Sequence, residues 1–355
     1  MVRGCPPGME RQKGEGGVMK ALVYHGKRDL RLEEVGEPQC EEGHAIVRVS
    51  FCGICGSDLT IYEGKHVRAK PPLILGHEFS GTIVEMRGKE RPDLKVGDRV
   101  TVEPTFSCGT CDLCRSGSPH ICLKKGLYGV DAHGGFAQFV KVSLRGLHRL
   151  DDAVSFEEGA MVEPLAVALR GVAISRLSVG ETAVVLGGGP IGLLTAQVAR
   201  AAGAAEVVLI EPIPFRRKMA EEMGFSVLDT EGVTRERVLE RTGGKEIDVV
   251  FDAAGAPSAA LLGTNLVRRT GRIVIVAVYK DLVPYDLITL GYGEIQVLGS
   301  CIYTFKDFAK AHFLVEKRRV DLHPLVTHRF PLSQALEGFK TLLEGRNAQK
   351  VLIQI

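Results

Sequence analysis

The stretch from Thr182 to Glu211 constrains this chain more than any other. Ala183 to Leu186 is an apolar run that reads as a buried strand, and it leads directly into Gly187, Gly189 and Gly192 in the pattern G-x-G-x-x-G, with Pro190 and Ile191 in the last two variable positions. Leu193 to Ala202 reads as an alanine-rich helix, and a second apolar run, Val207 to Ile210, ends on the acid Glu211. Strand, glycine turn, helix and second strand make one βαβ unit of the length that dinucleotide sites use. Gly187 permits the tight turn, Gly189 lets backbone approach a pyrophosphate, and Gly192 lets helix and strand pack closely. The helix N-terminus offers unpaired N–H groups to the anion. Glu211 can accept hydrogen bonds from a ribose 2′-OH and repels a 2′-phosphate, which favours NAD over NADP. Arg216 and Arg217, just downstream, are the residues that argue the other way.

A chain of 355 residues suits two domains. Its net charge of +2, with Lys and Arg spread along the sequence, gives no sign of the concentrated basic patch of a nucleic-acid or membrane-surface binder. No apolar run is long enough to span a bilayer and no secretory signal pattern follows the amino terminus, so a cytoplasmic location is expected. Residues 1–18, rich in glycine, proline and charge, read as a disordered extension, with Met19 as a candidate start. From Met19 onward, Ala21 to Tyr24, Leu30 to Val35 and Ala45 to Phe51 read as short strands of an all-β first domain.

The nine cysteines divide by spacing. Cys108, Cys111, Cys114 and Cys122 follow C-x₂-C-x₂-C-x₇-C, and four thiolates so close in sequence can close a tetrahedral structural zinc site. A disulfide pair and an iron–sulfur cluster are the alternatives for this spacing. Cys5, Cys40, Cys52, Cys55 and Cys301 form no disulfide framework. Cys55 in Cys52-Gly-Ile-Cys55-Gly-Ser-Asp58, together with Gly76-His77-Glu78, provides sulfur, nitrogen and oxygen donors suited to a catalytic zinc with one position open. Further along, Phe156 to Ala160 and Glu163 to Val167 open a helical region at the domain junction. Ile247 to Phe251, Arg272 to Ala277 and Gln296 to Leu298 are later strands of a six-stranded, doubly wound parallel sheet, separated by helices starting near Phe215, Thr234 and Pro257.

With these residues in view, the chain from about Met19 to its end resembles the zinc-dependent medium-chain dehydrogenases of the sorbitol, butanediol and threonine dehydrogenase branch. The resemblance rests on Cys55-Gly-Ser-Asp58, Gly76-His77-Glu78-Phe79-Ser80-Gly81, Val96 to Val100, the four-cysteine lobe, Glu163-Pro164-Leu165 and the glycine turn. It implies an α/β protein with a GroES-like β-barrel catalytic domain over residues 19–164, a structural zinc lobe at 104–124, a Rossmann NAD-binding domain over 165–304, and a return to the catalytic domain over 305–355. It also implies two zinc ions per subunit and NAD. Cys55, His77 and Glu78 match the catalytic zinc positions, and Glu163 matches a carboxylate that either binds that zinc or hydrogen-bonds its water. Ser57 matches the hydroxyl that takes the substrate proton.

The implied reaction interconverts a secondary alcohol and its ketone by hydride transfer to NAD⁺. A vicinal diol, polyol or sugar alcohol is the expected substrate; L-threonine or another amino alcohol is the alternative within enzymes, and a non-catalytic zinc- or nucleotide-binding protein the alternative outside them. Ala166-Val167 follows Glu-Pro-Leu where threonine dehydrogenases usually carry Gly-Asn. Tyr62 matches an aromatic lining the family's pocket. Thr60 stands where many relatives carry the histidine that ends a proton relay, so the relay is expected to end on solvent, with His66 the nearest histidine in sequence. A homo-oligomer, tetramer or dimer, is the expected assembly, with a small-molecule alcohol or ketone as the sole other partner.

Overall fold

The computed structural model describes residues 17–345 and 347–355. The reading of residues 1–18 as an extension therefore lies outside the described residues except for its end, where Val18 already begins a strand.

Short β-branched runs broken by glycine and charge build the first domain. Strands β1 (Val18–Gly26) and β2 (Asp29–Gly36) pair antiparallel, and the two-residue β4 (Leu73–Ile74) lies on the other side of β1. A larger sheet contains β3 (His44–Gly53), β5 (Glu78–Arg87), β6 (Arg99–Val102), β9 (Phe139–Ser143) and β10 (Leu147–Arg149). It is completed by two strands from the end of the chain, β17 (Val326–Pro331) and β18 (Lys350–Gln354), of which β18 pairs antiparallel with the last residues of β3. Val47, Val49, Phe79, Ile83, Val100 and Phe136 fill this domain's core, joined by Phe339 of helix α11 (Ala335–Glu344). Between β7 (Thr105–Phe106) and β8 (Gly126–Leu127), which pair with each other, the chain makes a lobe carrying the short helix α2 (Asp112–Arg115).

The second domain is a parallel sheet whose central strands are buried on both faces, as helices on either side require. Its strands are β11 (Thr182–Leu186), β12 (Glu206–Ile210), β13 (Ser226–Leu228), β14 (Val249–Asp252), β15 (Arg272–Ile275) and β16 (Gln296–Gly299), in the order β13-β12-β11-β14-β15-β16. The order reverses between β11 and β14, and such a switch point opens a crevice beyond the carboxyl ends of the strands. Helix α5 (Pro190–Ala201) follows β11, and α6 (Pro214–Glu222), α7 (Arg235–Arg241), α8 (Pro257–Leu266) and α9 (Leu287–Tyr292) make the later connections. Two further helices, α3 (Phe156–Ala160) and α4 (Val162–Ser175), join the domains, and α1 (Gly56–Tyr62) follows β3 in the first.

The return expected from residue 305 starts later. Helix α10 (Phe305–Glu316) turns Phe308, Ala311 and Val315 into the core that also holds Leu165 and Val185, so it packs with α4 on the dinucleotide side. The chain rejoins the first sheet at Val326, with β17.

His148 of β10 packs its ring on Phe308, 4.8 Å between centroids, with His312 of α10 at 6.1 Å. Burial pushes the His312 imidazole down to about 4, with His148 adding to the effect. Folded His312 therefore stays neutral where the unfolded side chain, near its ordinary value of about 6.5, takes up a proton. The unfolded state binds more protons in this window, so stability should fall as pH drops from about 6.5 towards 4. Glu316 lies 3.4 Å from His312 Nε2, on the same face of α10. Replacing His312 with leucine is expected to remove on the order of 1–2 kcal/mol of acid sensitivity, read from urea unfolding at several pH values.

Candidate active site

Two separated segments, one carrying Cys55 and the other His77 and Glu78, come together. Cys55 caps α1, and the Oδ2 of Asp58 accepts its N–H at 2.9 Å, which fixes the start of the helix. The other oxygen of Asp58 accepts from the Gly76 N–H at 3.4 Å and stands 3.7 Å from His77 Nδ1. Gly76 has φ +90, and a Cβ there would lie 2.6 Å from the Cys52 sulfur, so glycine is what allows the turn to deliver His77. On its other side His77 presents Nε2 to Ser57 Oγ at 3.4 Å. Glu78 begins β5 opposite Gly53, where any Cβ would fall 2.1 Å from a carboxylate oxygen. The ligand atoms of Cys55, His77 and Glu78 lie within 4.8 Å of one another.

Lys350 at the start of β18 donates to both oxygens of Glu78, at 2.7 and 2.6 Å, and to the Ile54 carbonyl at 3.2 Å. Both members of the pair are almost wholly buried. Even with this lysine, the group is rich in negative charge: Asp58, Glu78 and Glu163 are all buried. Burial opposes protonation of His77, but Asp58, Cys55 and Glu163 together hold its affinity for a proton well above the ordinary range. Surroundings that favour a proton favour a cation. The Nδ1 of His77, buried and without a hydrogen-bond partner among the described residues, faces Asp58 in the manner of a carboxylate that orients a metal-binding imidazole. The donor set fits zinc.

Glu163, the fourth ligand candidate, is not in this cluster. It lies in the first turn of α4, where its Oε1 accepts from the Tyr303 hydroxyl at 2.9 Å. Burial pushes its carboxyl up to about 7, with His77 pulling down and Glu78 pushing up. Glu163 is thus a buried carboxyl beside the metal group and hydrogen-bonded elsewhere. Thr60 bonds its hydroxyl to the Gly56 carbonyl within α1 at 3.0 Å. Nδ1 of His66 accepts the N–H groups of Arg68 and Ala69 at 3.3 and 3.2 Å. Tyr62 packs its ring on Phe339, with 5.6 Å between centroids.

The lobe brings Cys108, Cys111, Cys114 and Cys122 to sulfur–sulfur distances of 3.9, 3.5, 3.7 and 3.5 Å around the group. Four sulfurs at about 2.3 Å from one zinc have edges of about 3.8 Å, so the cage matches a closed tetrahedral site.

At the glycine turn, Gly187 has φ +95 and a Cβ on Gly192 would lie 1.8 Å from the Gly187 carbonyl oxygen. Gly189 caps α5, and the space beside it stays open, its nearest neighbour being the Arg216 guanidinium. Pro190 and Ile191 form the first turn of the helix. Glu211, buried, accepts the N–H groups of Gly188 at 2.6 Å and Ile213 at 2.8 Å, one on each oxygen. With Gly187, Gly189, Ile213, Arg216 and Thr230 it lines a cavity of about 470 Å³. The Nε of Arg216 is buried with no hydrogen-bond partner among the described residues. A turn that leaves no room for a side chain at Gly192, open space at Gly189, a helix N-terminus and a fixed carboxylate fit a dinucleotide.

Fold and site together define a two-domain, metal-dependent dehydrogenase. The family model for an alcohol dehydrogenase GroES-like domain matches residues 41–152, and that for a zinc-binding dehydrogenase matches residues 190–317. The chain belongs to the zinc-dependent medium-chain dehydrogenases and is an oxidoreductase. It is 36% identical to the 2-dehydro-3-deoxy-L-galactonate 5-dehydrogenase of Pseudoalteromonas atlantica, over 95% of this chain and 98% of that one. Its structure is similar to that of 2R,3R-butanediol dehydrogenase from Bacillus subtilis, with a TM-score of 0.88, 34% identity, and 95% and 99% of the two chains covered. It is also similar to a zinc-binding dehydrogenase from Sinorhizobium meliloti bound to NADP, with a TM-score of 0.87, 31% identity, and 96% and 100% covered. Among the described residues, no helix is long and apolar enough to cross a membrane.

Sequence reasoning missed Lys350, Gln349 and Tyr303, and it quoted Asp58 without a role. Lys350 left one signal, a lysine opening the apolar run Val351 to Ile353, but nothing in the sequence gives its partner.

Proposed function

We propose that this chain oxidises a secondary alcohol, in a vicinal diol, polyol or sugar alcohol, to its ketone with NAD⁺, and catalyses the reverse. The observation that carries the reading is that Gln349 and Lys350, adjacent in sequence, touch the glycine turn and the metal group respectively, so the two sites lie close together. Bound zinc supplies a Lewis acid for the substrate oxygen, and the nicotinamide supplies the hydride acceptor. Cys55, His77 and Glu78 would hold the zinc, with Asp58 orienting His77 and Lys350 orienting Glu78. Glu163, held by Tyr303, stands ready to accept a hydrogen bond beside them. Cys108, Cys111, Cys114 and Cys122 would hold the structural ion. Glu211 would take the adenosine ribose hydroxyls, and Arg216 the neighbouring phosphate. The butanediol and deoxygalactonate relatives act on hydroxylated carbon chains, in keeping with this substrate class.

NADH formation with NAD⁺ and a panel of diols, polyols, sugar acids and L-threonine tests the reading. Chelator-sensitive turnover is expected on a polyhydroxylated substrate, with NADP⁺ at least about tenfold poorer in kcat/KM. Turnover on L-threonine alone would transfer the enzyme to amino-alcohol oxidation, and none on any substrate would remove the reading.

Ser57, whose Oγ lies 3.4 Å from His77 Nε2, would take the substrate proton. Thr60 cannot carry it further by ionising, so the relay ends on solvent. Thr60→His is expected to add a titration near pH ~6.5 to the kcat profile. An unchanged profile would show that no proton passes this position.

A homo-oligomer is the proposed assembly. Strand β16 is an edge of its sheet, open on one side, and Val278, Leu282, Leu287, Ile288 and Tyr292 are exposed on neighbouring segments. An unpaired edge beside apolar side chains suits antiparallel pairing with a second copy, because a two-fold axis makes the strand its own partner. Val297→Lys should shift the sedimenting species towards monomer; an unaltered sedimentation profile would place the interface elsewhere.

A further inference from the structure

Gln349 is 2% exposed, and its Nε2 donates to the Gly188 carbonyl at 2.7 Å. Gly188 in turn donates its N–H to Glu211 at 2.6 Å. On the other side, the next residue in the chain, Lys350, holds both oxygens of Glu78. A continuous path therefore runs from the carboxylate at the adenosine end of the cofactor site, through Gly188 and Gln349, to the carboxylate of the metal group.

The Gln349 side chain is the loose member of this path. Its Oε1 is buried and has no hydrogen-bond partner among the described residues, a state that settled protein interiors rarely tolerate. Its backbone, by contrast, is anchored, with the N–H bonded to Thr327 Oγ1 at 3.0 Å. An amide tied through one end alone can change position without breaking a second bond. That leaves the side chain able to follow the Gly188 carbonyl, as transmission between the sites would require.

We propose that Gln349 is a positioning residue that transmits occupancy of the adenosine and pyrophosphate half of the cofactor site to Glu78, and so to the metal group. This rests on the functional reading above. A pyrophosphate settling at Gly189 and the start of α5 moves the Gly188 peptide, Gln349 follows the carbonyl, and the adjoining Lys350 shifts its ammonium against Glu78. Glu78 would share its charge between Lys350 and a bound metal ion, so a small displacement of the ammonium would change how much of the carboxylate is left for the metal. Linkage makes the effect reciprocal: metal at Cys55, His77 and Glu78 alters dinucleotide affinity by the same factor.

The test uses the full-length protein with cobalt in place of zinc at the Cys55 group, and ADP-ribose as the probe, because it fills the adenosine half and carries no nicotinamide to touch the metal site. Saturating ADP-ribose is expected to shift the visible cobalt band of the wild type. Its Kd should differ by about fivefold or more with and without that cobalt. In Gln349→Met, which keeps the bulk and loses the donor, ADP-ribose should still bind while the band stays fixed and the two Kd values agree within about twofold. A full band shift in Gln349→Met would overturn the proposal. If that variant does not fold, the wild type decides alone: a fixed band and equal Kd values overturn the proposal, and a shift with unequal values supports it. Failure of ADP-ribose to bind would instead overturn the cofactor reading, and failure of cobalt to bind the metal reading, and the proposal would fall with either.

Discussion

Replacing Lys350 with methionine is expected to cost about 3–5 kcal/mol of stability. Methionine fills nearly the same volume, so packing changes little. What changes is electrostatic: Glu78 is left in the interior without the ammonium that now holds both of its oxygens. Taking a carboxylate out of water is costly, and the cost is tolerable when a buried partner and further hydrogen bonds offset it. The Ile54 carbonyl would lose its donor as well. Lys350→Arg keeps the charge and should recover more than half of the loss, which separates the charge effect from simple disruption of β18. Urea midpoints of the three metal-free proteins measure this, since a bound zinc would itself compensate Glu78, and a Lys350→Met midpoint equal to that of the wild type would show that Glu78 is neutralised by something other than Lys350.

Lys350 also marks where the sequence stops being informative. The glycine turn and the four-cysteine lobe were legible because their residues are local: one βαβ unit, and one segment from Cys108 to Cys122, contain everything their geometry needs. Cys55 with His77 and Glu78 was legible through motif and ligand chemistry, although the residues come from different loops. The Lys350–Glu78 pair spans 272 positions and Tyr303–Glu163 spans 140, and no periodicity or spacing links such partners. Glu163 shows the consequence. Its motif matched a carboxylate that binds the metal or hydrogen-bonds its water, while the Tyr303 hydroxyl that holds one of its oxygens comes from beyond β16 and left no sign in the sequence. The shorter strand β13 and the packing of α10 on α4 were hidden for a related reason. Three residues carry no readable alternation, and the apolar face of α10 says that it is buried without saying against which domain.

His77→Ala is expected to lower the metal content from two ions per chain to one and to reduce kcat/KM by about a thousandfold or more, while NADH binding persists. The imidazole is the neutral donor between a thiolate and a carboxylate, and no other histidine among the described residues joins that group. Its loss leaves two ligands, too few for a stable zinc site. The four-cysteine lobe shares none of these residues and should keep its ion. Cys111→Ser should do the converse, emptying the lobe while the Cys55 group stays loaded, and its damage should appear first in thermal stability, since a closed tetrahedral site contributes to folding and leaves no position for substrate. Metal analysis by mass spectrometry, beside kcat/KM and melting temperature for both variants, separates the two roles. The assignment of a catalytic site and a structural site stands if His77→Ala loses activity with a modest change in melting temperature and Cys111→Ser loses melting temperature before activity. Loss of both ions from either variant would mean that the two sites fold as one unit, and the division of labour between them would have to be abandoned.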